Sequence, residues 1–115
     1  MHKPRSIRVA LEVAAATYGL HETDLWGGSG KPIDKIQPAR RLACHLATEY
    51  AHHPIEEVAW ALRISNELAE GLRDESVIGV ANDEAWEAVV GRAATQTLDA
   101  LHGDHPSWHG QQVPA

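Results

Sequence analysis

PIEEVAWALRISNELAEGLR, residues 54–73, reads as two short helices and the turn between them. Ile55, Val58, Ala59 and Leu62 fall at helical spacing, and Arg63-Ile64-Ser65 breaks the run. Ser65 is a good N-cap for a second helix over about residues 66–73, anchored by Leu68, Ala69 and Leu72. A small residue inside the first helix (Ala59), an apolar residue at its end (Leu62) and an inward Ile64 are what a helix-turn-helix needs for close packing. Its outward positions are Asn66, Glu67, Glu70 and Arg73. The second helix of such a unit normally lies in the major groove of DNA. An ordinary helical hairpin in a small bundle fits the same pattern. Glu67 and Glu70 oppose a polyanion, although a glutamate can accept a hydrogen bond from cytosine N4.

Working outward, every neighbouring segment is helical in period. Upstream, Pro38 suits the first turn of a long helix over about residues 38–51, with Ala39, Leu42, Ala43, Leu46 and Tyr50 as its buried stripe. Arg40, Arg41, His45 and Glu49 fall off that stripe. Residues 5–18 form an Ala-rich first helix closed by Gly19 and Leu20, and a short turn follows from Glu22 to Trp26. Downstream, a connector at 76–81 leads to Asn82, read as the cap of a last helix with Trp86, Val90, Ala93, Thr97 and Leu101 on one stripe. The expectation is an all-α domain of five to six helices over residues 1–102, with the helix-turn-helix at about 54–73. Residues 103–115 lack periodicity and read as a flexible tail.

The whole chain is 115 residues, one domain's worth, and 43% of it is apolar. Phe is absent, so Trp, Tyr, Leu, Val and Ala must fill the core, and Trp26 and Trp60 read as either core or interface. One cysteine, Cys44, excludes an internal disulfide framework and a cysteine-only zinc site. No apolar run approaches a membrane span, so the chain reads as soluble and cytoplasmic.

Charge is unevenly spread. Residues 1–41 carry seven Lys/Arg against four acids, a net of +3, whereas residues 42–115 carry three Arg against twelve acids, a net of −9. The overall −6 counts against a dedicated nucleic-acid binder, which is usually basic. A local basic face could still meet phosphate while the acidic remainder turns away or serves another partner.

Other motifs resolve to plainer readings. Gly27-Gly28-Ser29-Gly30-Lys31 lacks the glycine and the Ser/Thr of a phosphate loop, since Leu25 and Pro32 occupy those positions. His102, His105 and His109 with Asp104 could bind a metal, but a Gly/Pro-containing tail cannot hold them rigidly, so no metal or cofactor is expected. Glu56 and Glu57 read as a solvated helix face, and the sequence presents no catalytic constellation. No enzyme is expected.

The order of elements is nonetheless familiar. VAAATYGLHETDLWG, a loop, and PARRLACHLATEYAHHPIEEVAWAL resemble the C-terminal DNA-binding domain of the bacterial replication initiator DnaA. Tyr18, Leu20, Asp24, Leu25 and Trp26 stand for its Tyr-x-Ile/Leu segment, Pro38-Ala39-Arg40-Arg41 for its Pro-Arg-Gln helix start, and Ile55-Glu56-Glu57-Val58 for its Leu-Pro-Glu-Ile helix. The similarity spans about residues 7–101. It implies a Trp-repressor-like helical fold binding duplex DNA, with Arg40 and Arg41 at the family's contact positions and Lys31 and Lys35 in its basic loop. The family's Asp-His-Thr-Thr-Val signature is absent; Ser65, Asn66, Glu67, Leu68 and Ala69 stand in its place, after a turn shorter by about two residues. No ATPase domain is present in these residues.

Stand-alone domains of this kind look like transcriptional regulators of prophages or gene-transfer agents, which makes the expected function that of a sequence-specific, nucleoid-associated DNA-binding activator. Lys31, Lys35, Arg40 and Arg41 are expected to hold phosphates, and Arg63, Ser65, Asn66, Glu67 and Arg73 to approach base edges. RNA polymerase or a DNA-bending protein would dock on the acidic start of the last helix, at Asp83, Glu84 and Glu87. The alternatives are a protein-interaction module that kept the fold and lost DNA binding, and a regulator of replication initiation.

Overall fold

The computed structural model describes residues 3–102, and every regular element among them is helical. The first helix, α1 (Arg5–Thr17), buries Ile7, Ala10, Leu11 and Ala14, a three-and-four spacing that gives it one apolar face. Its end is a Schellman motif: Gly19 at φ +69° donates to Ala16 O (3.0 Å) and Leu20 donates to Ala15 O (2.8 Å). A 3₁₀ turn, Glu22–Leu25, then sends Leu25 fully into the core.

The central helix, α2 (Ile33–His45), begins five residues earlier than the Pro38 signal implies. Pro38 lies in its second turn and forfeits one backbone hydrogen bond. The early start buries Ile36, which shares a stripe with Ala39, Ala43 and Leu46; removing a side chain of that size from water yields about 1.5–3 kcal/mol. The helix continues as a π-helical turn, Leu46–Tyr50, and ends where His52 takes φ +59°. Because α2 packs against α1, α3, α4 and the 3₁₀ turn, it is covered on several sides, and Arg40 and His45 are buried as well as Ala39, Leu42, Ala43 and Leu46 of the expected stripe, whose Tyr50 is half-buried.

Two further corrections concern the second half. The helix α3 (Ile55–Leu62) matches the sequence reading, but α4 (Asn66–Asn82) runs through the expected connector at 76–81. Ser76 is fully buried on its inner face, where it meets His45 and Trp86, so tertiary contact carries the helix past its acidic middle. Asp83, not Asn82, caps α5 (Glu84–His102): its Oδ1 accepts from Ala85 N (2.9 Å) and Trp86 N (3.3 Å). Asn82 instead donates to Ile78 O at the end of α4 (2.9 Å).

Val58, Leu62 and Leu72 from the α3–α4 pair join Ile7, Leu11, Leu42 and Leu46 in a single core. No described helix is long and apolar enough to cross a membrane. The expected tail, with His105, His109 and Asp104, lies outside the described residues; His102 is the exposed last residue of α5.

Candidate nucleic-acid interface

The turn between α3 and α4 is built from local chemistry. Leu62 ends α3, Arg63 takes the left-handed conformation (φ 59°, ψ 42°), and its N–H donates to Trp60 O (3.1 Å). Ile64 N donates to Ala59 O (3.1 Å), completing a second Schellman motif, and the Ile64 side chain packs against the core. Ser65 Oγ accepts from Leu68 N (3.1 Å), capping α4 as its sequence position implies. Asn66, Glu67 and Glu70 are exposed on α4, while Ala69 and Leu72 are buried beneath them.

The Gly-rich loop leans on this turn. Gly27 N donates to Leu62 O (2.8 Å), and a Cβ at Gly27 would stand 2.0 Å from Arg63 O, so a side chain is sterically excluded. The contact brings Trp26 under the turn, with the Arg63 guanidinium 3.8 Å and Lys3 Nζ 5.1 Å from its ring centroid. A groove of about 370 Å³ runs alongside, lined by Lys3, Trp60, Arg63 and Ile64. Trp60 is 43% exposed, and the Trp26 Nε1 is buried with no hydrogen-bond partner.

The basic residues expected to hold phosphate are dispersed. Arg40 departs most: only 4% of it is exposed, its Nε donates to Leu25 O (2.7 Å), and burial lowers its pKa. Such a side chain ties the 3₁₀ turn to α2 and presents no free fork to solvent. Arg41 lies over Trp86 (4.3 Å to the centroid) with Glu75 at 3.9 Å, and its Nε is buried and unpartnered. Arg73 is half-buried and bonded through Nε and Nη2 to Asp74 Oδ1 (3.1 and 3.0 Å). Lys31 is exposed in the loop with Asp24 at 3.8 Å, and Lys35 is exposed on the first turn of α2 rather than in a loop. Arg63, Ser65, Asn66 and Glu67 therefore come together, joined by the loop that carries Lys31. Lys35, Arg40, Arg41 and Arg73 lie on other parts of α2 and α4.

Two polar chains escaped the sequence reading. His45, buried, shares a hydrogen bond with Ser76 Oγ (2.6 Å), which also accepts from Trp86 Nε1 (2.9 Å); burial lowers the His45 pKa. Elsewhere Ser6 Oγ meets His53 Nε2 (2.5 Å), and His53 Nδ1 meets Glu57 Oε2 (2.8 Å). That order of hydroxyl, imidazole and carboxylate is the order of an acyl-transfer triad. Here it joins the first turn of α1 to the first turn of α3, and the grooves at Lys3–Ile64, Ala16–Gln96 and Glu12–Glu22 all lie elsewhere. We read it as a clasp between helices. The His53–Glu57 spacing of four was visible in the sequence; the partner Ser6, 47 residues away, was not.

No family model, curated protein or solved structure matches this chain.

Proposed function

We propose that this chain is a duplex-DNA-binding regulator that reads its site with the N-terminal half of α4. The observation carrying this reading is the α3–turn–α4 unit. Eight residues of helix, a left-handed turn and a side-chain-capped second helix are fixed to the core by Ala59, Leu62, Ala69 and Leu72. The same unit leaves Asn66, Glu67 and Glu70 outside. In a helix-turn-helix those outward positions approach base edges. Asn can pair with adenine and Glu with cytosine N4, which would make the site's specificity depend on few contacts. Transcriptional control, as in prophage or gene-transfer-agent regulators, is the setting that the DnaA-like order of elements suggests. Control of replication initiation is the other setting for the same surface.

A second reading is supported by a different observation. Ile78 (61% exposed) and Val77 (44%) stand on α4 beyond the turn, and the exposed acids Glu67, Glu70 and Asp74 precede them along the helix. A protein-interaction module would use that acidic and apolar face for a basic partner, with Asp83, Glu84 and Glu87 at the start of α5 adding charge.

Genome-wide immunoprecipitation of the tagged full chain, followed by binding of the purified protein to any enriched fragment at two salt concentrations, separates the two. Sharp peaks reproduced by direct, salt-sensitive binding support DNA recognition. Peaks that the purified protein cannot reproduce point to recruitment through another protein, and an absence of peaks contradicts the DNA-binding reading.

A further inference from the structure

We propose that Arg63 is the residue that seats a DNA phosphate at this surface, in the role that the DnaA resemblance implies for Arg40 and in place of the base-edge contact expected of Arg63 itself. The proposal rests on the DNA-binding reading and names the anchor of the same interface.

Three features, each shared with some other residue, coincide at Arg63. The first is conformational. The chain ends α1 and α3 with the same hydrogen-bonded motif; at the left-handed position it places Gly19 (φ +69°) after α1 and Arg63 (φ +59°) after α3. Glycine adopts this conformation without steric cost and arginine does not, so stability alone favours glycine at both. Strain of this kind, when a structure retains it, is a pointer to function.

The second feature is orientation. The Arg63 guanidinium lies 3.8 Å from the Trp26 ring centroid. A guanidinium held over an indole face is fixed in place, and its planar fork of N–H donors suits the oxygens of a phosphate diester. Gly27 holds the Trp26 loop there, because its N–H bonds Leu62 O and no side chain fits against Arg63 O.

The third is the want of an acidic partner at the turn; exposed Arg8, Lys35 and Arg92 share it among the described residues, but they stand on α1, α2 and α5. Arg40 donates to Leu25 O, Arg41 faces Glu75 and Arg73 is bonded to Asp74. Nearby Lys3 and Lys31 face Glu22 (2.6 Å) and Asp24 (3.8 Å). Among the described residues, no carboxylate lies within ion-pairing distance of Arg63, so its charge is available to an external anion. Three residues further on, Asn66 begins the outward face of α4. A backbone strand held at Arg63 would bring the adjacent bases to Asn66 and Glu67.

The test uses the full chain and a random-sequence DNA duplex of about 30 base pairs, titrated at several salt concentrations. Arg63→Gly relieves the backbone strain, so its melting temperature should equal or exceed that of the unsubstituted chain while its affinity falls on the order of tenfold. The slope of log affinity against log salt should become shallower by about 0.9, one phosphate contact. Arg63→Lys should keep the slope and bind with intermediate affinity, because it retains charge and loses the planar fork. Unchanged affinity and slope in a folded Arg63→Gly protein would overturn this assignment and leave the DNA-binding reading standing. Failure of the unsubstituted chain to bind the duplex at any salt would overturn both.

Discussion

Arg40 and Arg41 are neighbours in sequence and differ in fate. Helical spacing puts both off the apolar stripe, and a helix covered on one face would leave both in solvent. The central helix is instead covered on several sides, so Arg40 is drawn under the 3₁₀ turn and bonded to Leu25 O. A single sequence does not show how many neighbours a helix has. Arg40→Ala should therefore destabilise the fold by about 2–3 kcal/mol, the order expected for losing a charged hydrogen bond and stranding its acceptor. Denaturant unfolding reads this directly; unchanged stability combined with lost DNA affinity would restore Arg40 to the interface. Cys44, fully buried one turn on, has its pKa raised to about 12, chiefly by burial. A thiolate is the reactive form, so the native protein should resist a thiol-exchange reagent at neutral pH and react once denaturant unfolds it. Rapid labelling without denaturant would contradict the packing around α2.

At the scale of elements, most local signals were legible, although Asp83 caps α5 in place of the expected Asn82 and the expected anchor Leu68 is exposed; tertiary signals were not. The bounds of α3, the break at Arg63–Ser65 and the Ser65 cap follow from residues within one turn of each other. The start of α2 and the length of α4 do not, because they depend on burial of Ile36 and Ser76 against other helices. The union of the glycine loop with the α3–α4 turn was equally invisible, since Gly27 and Arg63 are 36 positions apart in the chain. That union predicts an outcome for Gly27→Ala. The added Cβ would collide with Arg63 O, and the clash is with backbone, so the loop must withdraw from the turn. A loss of about 1–3 kcal/mol is expected, together with a change in Trp26 fluorescence as its contact with Arg63 opens. A Gly27→Ala protein with native stability and an unaltered spectrum would refute the contact.

Over the whole molecule, the charge split along the sequence is bridged by the Arg41–Glu75 pair, while Lys3 and Lys31 pair with acids of the basic part itself. Lys3 meets Glu22, Lys31 meets Asp24 and Arg41 meets Glu75, so the basic first third supplies fewer free cations than its count suggests. The surface available to phosphate is correspondingly narrow. Stability should also depend on pH through the junction of α2, α4 and α5. His45 is held there neutral, hydrogen-bonded to Ser76, stacked on Tyr50 and near Glu49; its pKa is lowered from 6.5, chiefly by burial. The unfolded chain then binds this proton more readily than the folded one. Its contribution is complete above about pH 6.5 and is lost as pH falls below that value toward the lowered folded pKa. Denaturation midpoints should decline between about pH 7.5 and about pH 5.5, and the decline should be smaller in His45→Gln. The same slope in both proteins would remove His45 as its source.

The N-terminal half of α4 is the surface we propose to meet DNA. A titration of the isotope-labelled full chain with duplex DNA, followed by backbone amide shifts, tests it most directly. DNA binding through this surface predicts concerted shifts at Trp26 and over Arg63–Glu70, weakening as salt is raised, with Val77–Glu87 undisturbed. Shifts confined to Val77–Glu87, or none at any salt concentration, would contradict it.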